Sequence, residues 1–225
     1  MQLFKYCRQV HLEDFFSEGT LRIGTLYDYR SDGHGDLVGD RREGSLTFSG
    51  TATNVTAQDL TTMPILSRII GVSGEGKIGN ITFTDCALDL GDLYIFSASK
   101  EYSIEAHSQW AADADAKYDA CYSINSARLF FREISSAISD RAKFLGFGPV
   151  HYYDSEIGLD IHSPLGQLHP GQLKSGKNYS HQVEIRAFWR PLNGAAVSPF
   201  FPKVPNAIKY CSRLASESIA ARVGA

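Results

Sequence analysis

Hydrophobic and polar positions alternate from Lys177 to Pro191, KNYSHQVEIRAFWRP. Side chains along a strand point to opposite faces in turn, so Tyr179, Val183, Ile185, Ala187 and Trp189 share one face and Gln182, Glu184 and Arg186 the other. The spacing predicts a half-buried strand whose polar face carries an amide, a carboxylate and a guanidinium. Taken alone, such a face reads most simply as solvated.

The same reasoning orders the rest of the chain. Leu3 to Cys7 reads as a short strand, and His11 to Glu18 as a helix with Leu12, Phe15 and Phe16 on its apolar side, stopped by Gly19. Thr20 to Tyr27, rich in β-branched residues, predicts a second strand. Ser45 to Val55 and Lys77 to Leu90 are further β segments. Gly91 to Lys100 is a strand that runs from Leu93, Tyr94, Ile95 and Phe96 into the small triplet Ser97, Ala98, Ser99, as a strand does when it passes from core to rim. A helix within Ser103 to Lys117 precedes a strand over Tyr118 to Ile124. A second helix, capped by Asn125 or Ser126 and reaching Ala142, places Leu129, Phe130, Ile134, Ala137 and Ile138 at helical spacing. Gly146 to Asp154 predicts a strand, Ser155 to Gly176 a loop, SPFFPKVP a Pro-bounded turn, and the residues from about Asn206 a terminal helix.

Two stretches carry residues suggestive of chemistry. Arg30 to Gly44 is a loop holding Asp32, His34 and Asp36, but their spacing matches no calcium or zinc pattern and solvated turn residues explain them better. GVSGEGKI, Gly71 to Ile78, approaches the phosphate-cradling loop. Ile78 stands where a hydroxyl is needed and no helix is predicted after Lys77, so it reads as an ordinary loop.

Composition narrows the class without choosing a partner. A chain of 225 residues is long enough for one core, and 1–225 reads as a single domain. With 43% hydrophobic and 21% charged residues, a disordered or fibrous chain is excluded; a net charge of −3 shows no global attraction to nucleic acid or anionic membrane. Cys7, Cys86, Cys121 and Cys211 form no CxxC pair, so reduced thiols in a cytoplasmic protein are expected. No apolar run is long enough to span a bilayer, and MQLFKYCRQV lacks the apolar core of a secretory signal.

Four segments, LFKYC, EGTLRIGTLYDYR, YIFSASK and KNYSHQVEIRAFW, together resemble the ADP-ribosyltransferase-like superfamily. The resemblance is closest to an uncharacterised bacterial branch that includes toxin and phage-defence proteins. It implies an α+β fold, a split pair of small β-sheets with flanking helices and a central NAD cleft. It implies a mono-ADP-ribosyltransferase, of the glycosyltransferase class, that moves ADP-ribose from NAD to a protein or nucleic-acid acceptor as a toxin or antiviral (antiphage) effector. A neutralising antitoxin or immunity protein is the corresponding partner, and no membrane is involved. Ser97 and Ser99 match the family's serine motif, with Ala98 where Thr is usual. Gln182 and Glu184 match its catalytic motif, and Tyr6 and Arg8 stand nearest its first-strand Arg.

The residue types suit that chemistry. Breaking the ribose–nicotinamide bond builds positive charge on the sugar, which a fixed Glu184 carboxylate stabilises increasingly as it grows. Gln182, on the same face, orients the nucleophile but cannot serve as a base. Arg186 either meets phosphate or pairs with Glu184, and Tyr27 or Tyr29 stacks on nicotinamide. Trp110, Arg128 and Arg132 offer a nucleobase surface, although a core Trp and a solvated helix face are the simpler readings. The missing first-strand Arg and Ala98 leave a second possibility, a non-catalytic module that binds a nucleotide or a partner protein in the same cleft.

Overall fold

The computed structural model describes residues 1–30, 40–113, 115–176, 183–192 and 197–214. In chain order the strands are β1 (Leu3–Cys7), β2 (Gly24–Thr25), β3 (Ser45–Ala52), β4 (Val55–Thr56), β5 (Lys77–Ile78), β6 (Ile81–Asp89), β7 (Tyr94–Ser99), β8 (Ala120–Ile124), β9 (Ala142–Pro149), β10 (His151–Tyr153), β11 (Leu159–Asp160), β12 (Leu173–Ser175), β13 (Glu184–Pro191) and β14 (Cys211–Arg213). The architecture is mixed α+β, with several small sheets and flanking helices. The chain divides into two compact units, one of residues 1–41, 92–150 and 181–225, the other of residues 42–91 and 151–180.

The first unit is built on a seven-stranded sheet in the order β14-β8-β1-β7-β13-β9, with β2 pairing beside β1 on β7. One face packs Leu3, Phe96, Ala98, Ile185, Ala187 and Trp189 against helix α1 (Gln9–Glu18) and the helix Ala127–Ala137. Burying each such large side chain contributes about 1.5–3 kcal/mol. Trp189 is fully buried, and its indole N–H donates to Ser135 Oγ at 2.9 Å. On the opposite face Tyr6 and Cys121 pack with Ala106 and Trp110 of the helix Ile104–Ala112 in a small apolar cluster. Leu26, Leu93, Ile95 and Phe188 form another cluster.

Helix α1 ends as the sequence predicts. Gly19 takes the left-handed conformation, φ 76°, and its N–H reaches the Phe15 carbonyl at 2.8 Å. A Cβ there would lie 2.4 Å from Pro205 N. Gly19→Ala therefore combines a backbone penalty with a backbone clash, and its expected cost is at least about 2 kcal/mol of unfolding free energy, measured by urea denaturation.

Several predicted boundaries are corrected. The second helix stops at Ala137, and Ala142 already pairs with Pro191 as the first residue of β9. Ile138, 1% exposed, continues the apolar spacing but anchors a turn, because Ser139, Asp140 and Arg141 have no buried face to continue a helix. Ser126 occupies the N-cap position with no side-chain bond to the helix, and the Asn125 amide donates to Ser212 Oγ instead. From Thr20 to Tyr27 only Gly24–Thr25 is strand, with isolated bridges at Thr20 and Ile23. Residues 205–210 form a 3-10 helix, not the start of an α-helix, and β14 follows, extending the sheet edge along β8.

In the second unit, β3 pairs with β6 and β11 over a core of Leu46, Phe48, Ile65, Leu66 and Ile161. Along β6 the half-buried positions run Ile81, Phe83, then Cys86, Leu88. The phase changes at Asp85, where φ is +49° and the register opposite Phe48 and Gly50 shifts, so a bulge resets which side chains face the core. Strands β11 and β12 lie within Ser155 to Gly176, expected to be loop, whereas β10, which pairs in parallel with β12, lies within the strand expected over Gly146 to Asp154. Gly71 to Gly76 is loop, as expected, and leads into β5.

Candidate functional site

Strand β13 is bonded by β7 along one edge and β9 along the other. Its side chains are buried from Glu184 through Trp189, on both faces. The expectation of a solvated polar face is thus overturned: Glu184 is 7% exposed and Arg186 2%. The two face the same way, and Arg186 Nε donates to Glu184 Oε1 at 2.8 Å. Two charges removed from water need one another, and the charge-assisted bond fixes the carboxylate in place. Of the alternatives open for Arg186, pairing with Glu184 is the one adopted. Gln182 lies outside the described residues, as do Asp32, His34 and Asp36; Val183, just before the strand, has φ +44°.

The serine residues are brought to this pair by register. Glu184 stands opposite Ser99 and Arg186 opposite Ser97, with Ile185 opposite Ala98 between them. Ala98 points to the core face and is 6% exposed, so a small apolar residue suits the position.

The other edge of β7 is shared. Strand β1 pairs with it at Phe4–Ser99, whereas β2 pairs with it at Gly24–Ile95 and Thr25–Tyr94. Between these points Lys5 crosses the gap: its Nζ donates to the Ser97 carbonyl at 2.8 Å and lies 4.7 Å from the centre of the Phe96 ring. Burial pushes the Lys5 ammonium down to about 8, partly offset by the pull of Glu184 among other groups. The amine still carries its charge at neutral pH.

Where β1 and β2 separate, a cavity of about 260 Å³ opens, lined among others by Lys5, Tyr6, Arg8, His11, Arg22 and Tyr29. Arg22 Nη2 is paired with Asp28 Oδ2, and its Nη1 donates to the Tyr29 hydroxyl at 3.4 Å. Burial raises the Tyr29 phenol above its ordinary value, Arg22 draws it back, and the charges of Glu184 and Arg186 act on it as well. Arg8 is anchored by donating to the Ala116 carbonyl at 3.1 Å and the Asp115 carbonyl at 2.6 Å.

Of the residues expected to bind cofactor, Tyr6, Arg8 and Tyr29 line this cavity; Ser97, Ser99 and Arg186 are not among the lining residues, although the Ser97 backbone carbonyl accepts from Lys5. Tyr6 is also packed against Trp110, its hydroxyl accepting from the Ser103 N–H at 2.8 Å. Tyr27 is not among the lining residues; it is 37% exposed, with the Arg30 guanidinium 3.8 Å from its ring centre. Glu184 is likewise not part of the cavity lining. Trp110 is buried, while Arg128 and Arg132 lie on an exposed helix face, so the nucleobase surface is not formed from these three. His11 and Arg22 were missed from the sequence. Lys5 was visible there as a first-strand cation but passed over, and nothing in the alternation of β1 says that its amine reaches across to β7.

The metal-ligating side chains of the described residues form no cluster of three or more able to hold an ion. Comparison of the chain with protein-family models, with curated proteins and with solved structures found no match.

Proposed function

We propose that the chain is a mono-ADP-ribosyltransferase that uses NAD as a substrate and transfers its ADP-ribose to a macromolecular acceptor. The observation that carries this reading is the buried Glu184–Arg186 pair, set in register against Ser99 and Ser97. Arg186 keeps the Glu184 carboxylate oriented, so little reorganisation is needed when positive charge develops on the ribose. Ser97 and Ser99 shape the adjoining surface, and Tyr29 supplies an aromatic face for nicotinamide. Gln182 as the residue that orients the acceptor rests on the resemblance of the motif. Tyr6 and Arg8 offer a hydroxyl and a cation to the phosphate–ribose portion. At about 260 Å³ the cavity is smaller than the ~300–1,000 Å³ typical of whole-ligand pockets, so it suits one portion of a dinucleotide. The split sheet edge at β7, with β1 and β2 diverging from it, is the feature closest to the cleft that the resemblance implies.

The test is incubation of the protein with NAD and cell lysate, following nicotinamide release and label transfer, with protease and nuclease digestion to separate protein from nucleic-acid acceptors. Release and transfer support the reading. One observation favours a second reading, a non-catalytic module: Glu184 is almost fully enclosed and outside the cavity lining. Calorimetric NAD binding without release under any acceptor would select it. The toxin or antiphage role is tested by growth arrest on expression, relieved by Glu184→Gln.

A further inference from the structure

The cavity between β1 and β2 contains more positive charge than its structural contacts use. Lys5, Arg8 and Arg22 supply three cations at neutral pH to its wall, against one carboxylate residue, Asp115. Arg22 is balanced by Asp28, but Arg8 is held by backbone carbonyls and Lys5 by one carbonyl, so neither is neutralised by these contacts. His11 completes the ring of basic groups. No hydrogen bond from its imidazole forms among the described residues, and its ring lies 6.2 Å from that of Phe201, which is 55% exposed beside the cavity.

We propose that this cavity binds a tetrahedral oxyanion of the phosphate-ester class, with Arg8 as its fixed charge, the Lys5 ammonium beside it, and His11 as a ligand that takes up a proton when the anion enters. The argument rests on the cavity alone and stands whether or not Glu184 transfers ADP-ribose. The titratable and charged groups that line the cavity or act on His11 come from several elements. From β1 come Lys5 and Cys7, from the turn after it Arg8, and from its own helix Asp14. Arg22 precedes β2 and Tyr29 follows it, and Tyr6 of β1, Asp115 and Tyr118 complete the titratable lining. Burial lowers the imidazole below its ordinary value, and Arg8, Arg22 and Lys5 lower it further against the pull of Asp14. These groups therefore favour the neutral imidazole of His11. A divalent anion reverses the local field, favours the imidazolium, and gains a further charge-assisted donor. Cys7, pushed up to about 12, stays a neutral thiol throughout.

The linkage has a definite sign. Because the bound state holds the proton more tightly, affinity rises as pH falls from 7 to 6, a range in which Lys5, at about 8, keeps its charge and His11 is the group that titrates. Sulfate is the cleanest probe, since its own charge does not change over that range. Calorimetric titration should show saturable binding at pH 6, weaker at pH 7 by about threefold or more. His11→Gln should remove the pH dependence, and Arg8→Gln should weaken binding at both pH values by about tenfold, the loss expected for a charge-assisted contact. A thermal melt of each variant shows that its fold is retained. Absence of saturable sulfate binding at pH 6, or unchanged pH dependence in His11→Gln, overturns the proposal. Inorganic phosphate and AMP then separate the source of the anion. Equal affinities assign the site to a free oxyanion, and tighter AMP binding assigns it to a nucleotide, with Phe201 as the surface for its base. Sulfate binding without nicotinamide release would leave this proposal standing while removing the transferase.

Discussion

Glu184→Gln is expected to lower nicotinamide release from NAD by about 100-fold or more, the scale on which loss of one preorganised electrostatic contact acts. The side chain keeps its shape and an oxygen that can accept from Arg186 Nε, but it loses the negative charge that the developing sugar cation requires. Its stability should fall by about 1–3 kcal/mol, because Arg186, 2% exposed, retains its charge beside a neutral amide. Near-UV circular dichroism distinguishes this from unfolding. A folded Glu184→Gln protein that releases nicotinamide at the wild-type rate would remove Glu184 from the chemistry and turn attention to the non-catalytic reading.

Arg186→Met carries the largest expected effect on stability. It leaves a carboxylate that is 7% exposed without the guanidinium 2.8 Å away, and removal of one partner of such a pair costs about 3–5 kcal/mol. The double variant Glu184→Leu with Arg186→Met should recover most of that loss, since replacing both charges by apolar groups removes the desolvation penalty as well as the attraction. Urea denaturation of the four proteins closes the cycle. Additive effects of the two substitutions would mean that the pair is not coupled, and the argument that Arg186 holds the carboxylate for catalysis would fail with it.

The residues of the site differ in how much of their placement was written in the chain. Glu184 and Arg186 share a face because side chains two apart on a strand must, and that was legible from EIRAFW alone. Their burial was not, since a polar row looks the same whether water or protein covers it. Packing on both edges and both faces of β13 decided it. Ser97 and Ser99 were recognisable as a strand end, yet only the β7–β13 register set them opposite Arg186 and Glu184. The helix expected to reach Ala142 failed for a similar reason. Its apolar spacing continued through Ile138, but pairing of Ala142 with Pro191 drew the chain into a strand.

What the sequence determined by itself was local: the strand at Leu3–Cys7, the helix ended by Gly19, and the side-by-side polar groups of β13, all fixed by backbone geometry and periodicity. What the tertiary structure alone decided was which distant residues meet. β1 and β2 leave the same edge of β7 at different points, and that separation brings Lys5, Arg8, His11 and Arg22 around one cavity. No short-range pattern encodes such a meeting, because strand pairing joins residues far apart in the chain and fixes them only when the sheet forms.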